Sequence, residues 1–120
     1  MAYDRDNPFA KILRGEIPSD TVYEDDTVKA FNDITPQRPV HVLVIPKGEY
    51  SDLTDFAENA SDAEIAGWVR GLARAAREKG VTESGYRVIV NTGADGGQEV
   101  NHLHGHVMGG APVGPMVKKQ

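Results

Sequence analysis

Three of the four histidines in this 120-residue chain fall within five positions, as His102, His104 and His106. Side chains alternate across a β-strand, so a strand over His102–Met108 lines up three imidazoles on one face, roughly 6.5 to 7 Å apart. Flanking Val100, Leu103, Val107 and Met108 mark that strand as largely buried, and core packing alone does not call for three polar rings there. The pattern therefore points to a functional site rather than a solvated edge. Neutral imidazole offers two chemistries: attack or charge stabilisation at phosphorus, and metal ligation, in which a His-x-His pair supplies two ligands. Spacing by itself leaves both open.

The elements that must position these rings are readable in chain order. Asn7-Pro8 reads as an N-cap and first helical residue, with Phe9, Ile12 and Leu13 on one face and Gly15 ending a short helix. Thr21–Glu24 and Val28–Phe31 read as strands joined at Asp25-Asp26, and Asp33 follows at a strand end, where it is a turn cap or an acceptor for a ribose diol. Val40–Ile45 is a near-continuous apolar run carrying the fourth histidine, His41, as expected of a strand buried on both faces. Ser61 with Glu64 forms a capping box opening a long helix to about Lys79, with Ile65, Trp68, Val69, Leu72 and Ala76 as its stripe and Gly80 at C′. Tyr86–Asn91 is a further strand. The glycine-rich loop Thr92–Gly97 then leads to the histidines, suiting either an anion or turns that need positive φ.

Strands and helices are segregated along the chain, which predicts an α+β fold with a five-stranded antiparallel sheet, one long helix and one short helix. A single domain over 1–120 is expected, with a short disordered lead-in of about 1–6 and a Pro- and Gly-containing tail from about 111 to 120. A net charge of −5 provides no footprint for nonspecific nucleic-acid binding. The absence of cysteine excludes disulfides, thiolate catalysis and thiolate zinc sites. Met1–Asp6 is polar and no apolar run approaches the ~18 residues of a membrane span, so a cytoplasmic protein without a membrane partner is expected.

Several segments in order, Phe9-Ala10-Lys11-Ile12-Leu13-Arg14-Gly15-Glu16-Ile17-Pro18, Asp33-Ile34-Thr35-Pro36-Gln37, Pro39–Lys47 and Asp95–His106, closely resemble the histidine triad family, in its branch of nucleotide-binding phosphoramidases. The resemblance implies a homodimer with a sheet continuous between protomers, a purine nucleoside monophosphate or phosphoramidate ligand, and no cofactor or metal. It places Phe9, Ile12, Phe31, Asn32 and Ile34 around the nucleoside and Asp33 on the ribose. Asn91, Gly97, Gln98 and Glu99 fall near the phosphate. His104 is the implied nucleophile, His106 and His41 hold nonbridging oxygens, and His102 orients His104. Three positions depart from the family pattern: Gly105 replaces an apolar residue, Asn101 an aromatic, and Glu99 a serine found in some members. The activity implied is cleavage of the P–N bond of a purine nucleoside 5′-phosphoramidate. The competing readings are a dinucleoside polyphosphate hydrolase, a nucleotide-binding interaction protein with incidental catalysis, and a histidine-ligated metal protein.

Overall fold

In chain order the elements are α1 (Pro8–Leu13), β1 (Thr21–Glu24), β2 (Val28–Asn32), β3 (Val40–Pro46), α2 (Leu53–Asn59), α3 (Asp62–Glu78), β4 (Tyr86–Ile89) and β5 (Gly105–Gly109). They come from a computed structural model that describes residues 3–118; Met1, Ala2, Lys119 and Gln120, the extremes of the expected lead-in and tail, lie outside the described residues. All strands pair antiparallel in the order β1-β2-β3-β5-β4. This is the α+β architecture expected from the sequence.

The apolar run of β3 lies at the centre of the sheet and is buried at every position. Alternation splits its residues between two layers. Val40, Val42 and Val44, with Val28, Ala30 and Val107, pack beneath Trp68, Leu72, Ala75 and Ala76 of α3. Leu43, Ile45 and Phe31 face the other way and are covered by Phe9 of α1. One face of the sheet is thus a conventional core, and the other is where α1 and the histidines meet.

Local signals act where the sequence places them. Asn7 accepts a hydrogen bond from the Ala10 amide (2.9 Å) to cap α1, and Ser61 and Glu64 form the reciprocal capping box of α3. Gly80 closes α3 with φ +72°, a left-handed conformation suited to glycine. Trp68 is a core residue whose indole N–H donates to the Val44 carbonyl (3.1 Å).

Three expectations need correction. A second short helix, α2, occupies the polar stretch before Ser61, because Asp52 caps the Asp55 amide (2.8 Å) and Phe56 is driven into the core against Tyr50 and Trp68. β4 ends at Ile89, short of Asn91, since its ladder stops at the Ile89 to His106 pair. The expected histidine strand begins only at Gly105. Pairing with β3 ends at Val44 opposite Gly105, and beyond it the Pro46 carbonyl accepts from the His102 ring while the Leu103 amide donates to Tyr50. His102 and His104 therefore lie on an irregular approach to the strand, and only His106 is within it.

Gly105 is explained by close approach. A Cβ built there would lie 2.6 Å from Leu72 Cδ2 and 3.3 Å from Trp68 Cζ2, so α3 rests directly on the backbone of β5. We predict that Gly105→Val lowers stability by about 1 to 3 kcal/mol, read as the urea midpoint at constant m-value. Trimming Leu72 to Ala in the same chain should make the double variant less unstable than the two single costs summed.

Candidate functional site

The four histidines converge although they come from two segments, because β3 and β5 are adjacent. His106 sits opposite Leu43 in the ladder, on the same face as His41, and the His41 and His106 rings lie 5.2 Å apart. His104 is 5.2 Å from His106 and stacks edge-on against Phe9 at 4.9 Å. α1 therefore serves as a wall of the site.

The hydrogen-bond partners assign every ring tautomer, since a carbonyl only accepts and a backbone amide only donates. The Gln37 amide donates to His41 Nδ1 (3.1 Å), so His41 carries its proton on Nε2. That N–H donates to His106 Nδ1 (3.0 Å) and points also at Asp33 Oδ2 (3.3 Å). His106 therefore keeps its proton on Nε2. His102 donates from Nε2 to the Pro46 carbonyl (2.9 Å), and its Nδ1 accepts from the Tyr3 hydroxyl (2.5 Å). His104 donates from Nδ1 to the His102 carbonyl (2.7 Å), which leaves its Nε2 as a bare lone pair.

Burial reinforces this neutral set by penalising the charged form of each ring. His102 and His106 are both lowered to about 4, and His41 and His104 are also lowered, in every case chiefly by loss of solvent. His104 feels opposing effects from its bond to the His102 carbonyl and from the Asp33 and Glu99 charges, yet desolvation prevails. Near neutral pH the result is one imidazole lone pair, on His104, beside one unspent N–H, on His106.

Both atoms face a cavity of about 600 Å³, a size ordinary for a small-molecule ligand. Phe9, Ile12, Phe31, Ile34 and Leu43 line its apolar part, and Asn32, Asp33, Asn91, Gly97, Glu99, His104 and His106 also line it. His41 and His102 are buried behind these residues and do not reach the cavity wall. Gln98 is likewise set back, bracing the loop through bonds to the Ser51 and Val100 carbonyls (2.7 and 2.9 Å). Gly93 and Gly97 have positive φ, and the Gly97 amide donates to Ala94 (3.0 Å), so these glycines serve the turns of the loop. Asp33 does cap a turn, through the Thr35 amide (3.0 Å), while its other oxygen faces His41.

Two contributors escaped sequence reasoning. Gln37 acts through its backbone amide, which any residue but proline supplies, and Tyr3 acts from 99 residues away along the chain. Neither leaves a periodic signal. Pro18, Ser19 and Thr35 also line the cavity as loop residues without a motif of their own.

Asp33, His41 and His106 bring three potential ligand atoms within 4.8 Å of one another. Their donor chemistry does not suit a cation. Because Gln37 occupies His41 Nδ1, the His41 Nε2 bears a proton, and ligation through it requires breaking that bond or forming an imidazolate.

The chain is similar to known proteins along most of its length. The HIT domain profile matches residues 14–113. A 13.2 kDa HIT-like protein of Azospirillum brasilense is 53% identical over 117 residues, covering 98% of this chain and 96% of its own. The purine nucleoside phosphoramidase of Escherichia coli K12 is 47% identical over 109 residues, 91% of each chain. Among solved structures, a histidine triad protein from Clostridium difficile superposes with TM-score 0.83 at 44% identity, covering 97% of this chain and 100% of its own.

The depressed imidazoles carry a stability consequence with a definite sign. The unfolded chain takes up protons on His102 and His106 near the ordinary value of 6.5, whereas the folded protein resists until about 4. Folding stability is therefore full above 6.5 and falls as pH drops from 6.5 towards 4, with His102 alone contributing on the order of 3 kcal/mol. Urea unfolding at pH 7 and pH 5 should show a lower midpoint at pH 5; equal midpoints would contradict the neutral buried set.

Proposed function

The chain belongs to the HIT family, and from that premise we propose that it hydrolyses purine nucleoside 5′-phosphoramidates, such as AMP linked to an amine or a lysine side chain, through a nucleotidyl-histidine intermediate. The observation that carries this reading is the bare His104 Nε2 beside the His106 Nε2–H at the cavity wall. A related protein named purine nucleoside phosphoramidase, at 47% identity, supports the choice of substrate.

In this reaction the substrate nitrogen takes a proton from solvent, the His104 lone pair attacks phosphorus, and the P–N bond breaks with its electron pair returning to the nitrogen, which departs as the neutral amine. His106 donates its N–H to a nonbridging oxygen as charge develops there, and His41 supports it by donating to His106 Nδ1. Water then attacks phosphorus, the P–N bond to His104 breaks with its pair returning to the imidazole, and the water's proton passes to solvent as the nucleoside monophosphate is released. The apolar wall of Phe9, Ile12, Phe31 and Ile34 holds the purine, and Asp33 accepts from the ribose hydroxyls. Among the described residues, no lysine or arginine lines the cavity. A monophosphate ester carries little charge to neutralise, whereas a polyphosphate chain needs cations nearby, which favours the phosphoramidate over a dinucleoside polyphosphate.

The same proposal includes a homodimer joined through β4. Among the described residues β4 pairs only with β5, which leaves one edge of the sheet free. Val88 lies opposite Val107, on the face that carries α3, and it is exposed together with Tyr86 and with Val69 of α3. A second copy joined edge to edge covers all three.

Wild-type protein should turn over adenosine 5′-phosphoramidate far faster than diadenosine tetraphosphate, and the reverse order would sink the substrate assignment. His104→Ala should lose roughly 10³-fold or more in kcat while still binding AMP in calorimetry. Near wild-type turnover in that variant would rule out covalent catalysis by His104. Light scattering should give twice the mass of one chain, falling to one chain in Val88→Lys; a wild-type monomer at micromolar concentration would refute the dimer.

A further inference from the structure

The bond that leaves His104 Nε2 bare is accepted by a peptide carbonyl, that of His102. A carbonyl orients a ring only as well as its own peptide is held. His102 and His104 lie outside the β5 ladder, so this peptide is held at one end only by its own N–H, that of Leu103, which donates to the Tyr50 carbonyl (2.9 Å). Its other end is fixed by the His102 ring, which is fully buried and bonded at both nitrogens. The Pro46 carbonyl accepts from Nε2–H, and among the described residues only the Tyr3 hydroxyl supplies a donor for Nδ1.

We infer that Tyr3 is a positioning residue for the nucleophile, acting through the His102 ring and carbonyl on the orientation of His104. The inference rests on the proposed role of His104. Tyr3 reaches His102 from the opposite end of the chain, and its ring packs edge-on against the imidazole at 5.6 Å. Its reach is set by the following residues. The Asp4 carbonyl accepts from both the backbone amide and the side-chain amide of Asn7 (3.3 and 2.7 Å), tying the lead-in to the cap of α1. The Arg14 guanidinium donates to the Arg5 carbonyl (2.7 Å), and Arg5 pairs with Glu49 (3.1 Å). Residues 3–6 thus form a strap from α1 to the back of the histidine row. Burial raises the Tyr3 hydroxyl above its ordinary value, so it remains a donor throughout the working pH range.

The logic is that of the partners which orient ligating or catalytic imidazoles, with one link added. Without the Tyr3 hydroxyl, the buried His102 Nδ1 has no donor, and the ring regains a partner only by turning away from Pro46. Either outcome leaves the Leu103 amide as the remaining hold on this peptide and lets the carbonyl that aims His104 tilt about it. Substrate contacts are untouched, because Tyr3 does not line the cavity.

Tyr3→Phe keeps the ring and removes only the hydroxyl. With adenosine 5′-phosphoramidate it should lower kcat roughly 5- to 30-fold while KM stays within about two-fold, the pattern of a misaimed nucleophile rather than a weakened binding site. In the protein without ligand, the ring nitrogen-15 resonances of both His102 and His104 should shift. A hydroxyl that serves packing alone lowers the melting temperature but leaves kcat at 25 °C and the His104 resonances at their wild-type values, and that result overturns the inference. Lack of turnover in the wild type would instead defeat the proposed reaction. The His104 resonances would then still decide the coupling, and their constancy in Tyr3→Phe would overturn it.

Discussion

The site depends on one hydrogen bond, from His104 Nδ1–H to the carbonyl of His102. An imidazole has two nitrogens and, when neutral, one proton, so placing the proton on one side decides what the other side can do. Here a carbonyl claims the Nδ1 proton and the cavity receives a lone pair. His106 is the complement: its Nδ1 accepts from His41, and the cavity receives a proton. Two identical side chains next but one in sequence thereby become a nucleophile and a hydrogen-bond donor, and their different bonding partners alone distinguish them.

Keeping all four rings neutral requires burial, and burial is what the two-layered sheet supplies. β3 is covered on both faces, so His41 and the stretch from His102 to His104 lie against a dry interior that disfavours the imidazolium form. The cost is a set of buried polar atoms that must each find a partner, and among the described residues none is left without one. Gln37, Pro46 and Tyr3 meet that requirement from outside the histidine motif. Close packing of α3 on Gly105 belongs to the same economy of space, since a side chain there would press on Leu72 and Trp68 above the strand that carries His106.

Much of this was legible in the sequence, for physical reasons that differ between elements. The caps at Asn7 and Ser61 are local, so their signature lies within four residues, and both act as read. The apolar run of β3 is typical of a strand covered on both faces, and it is buried at every position. By contrast, alternation carried the histidine strand too far towards the N-terminus, because where a ladder stops depends on the partner strand. α2 was hidden by the polarity of its surface, although Asp52 and Phe56 supply its cap and anchor. Within the site, residue types pointed to the cavity-lining histidines, whereas tautomers depend on contacts between distant segments. That is why spacing alone does not separate phosphorus chemistry from metal ligation, whereas in the fold the Gln37 amide on His41 Nδ1 disfavours ligation by Asp33, His41 and His106.

Proton placement decides whether His104 can act as a nucleophile. Nitrogen-15 spectra of histidine-labelled wild-type protein at pH 7, with ring resonances assigned by residue, report which nitrogen of each imidazole carries hydrogen. All four rings should be neutral, with the proton on Nδ1 in His104 and on Nε2 in His41, His102 and His106. A His104 ring protonated at Nε2, as the other tautomer or as imidazolium, would leave no lone pair facing the cavity and would contradict the account at its centre.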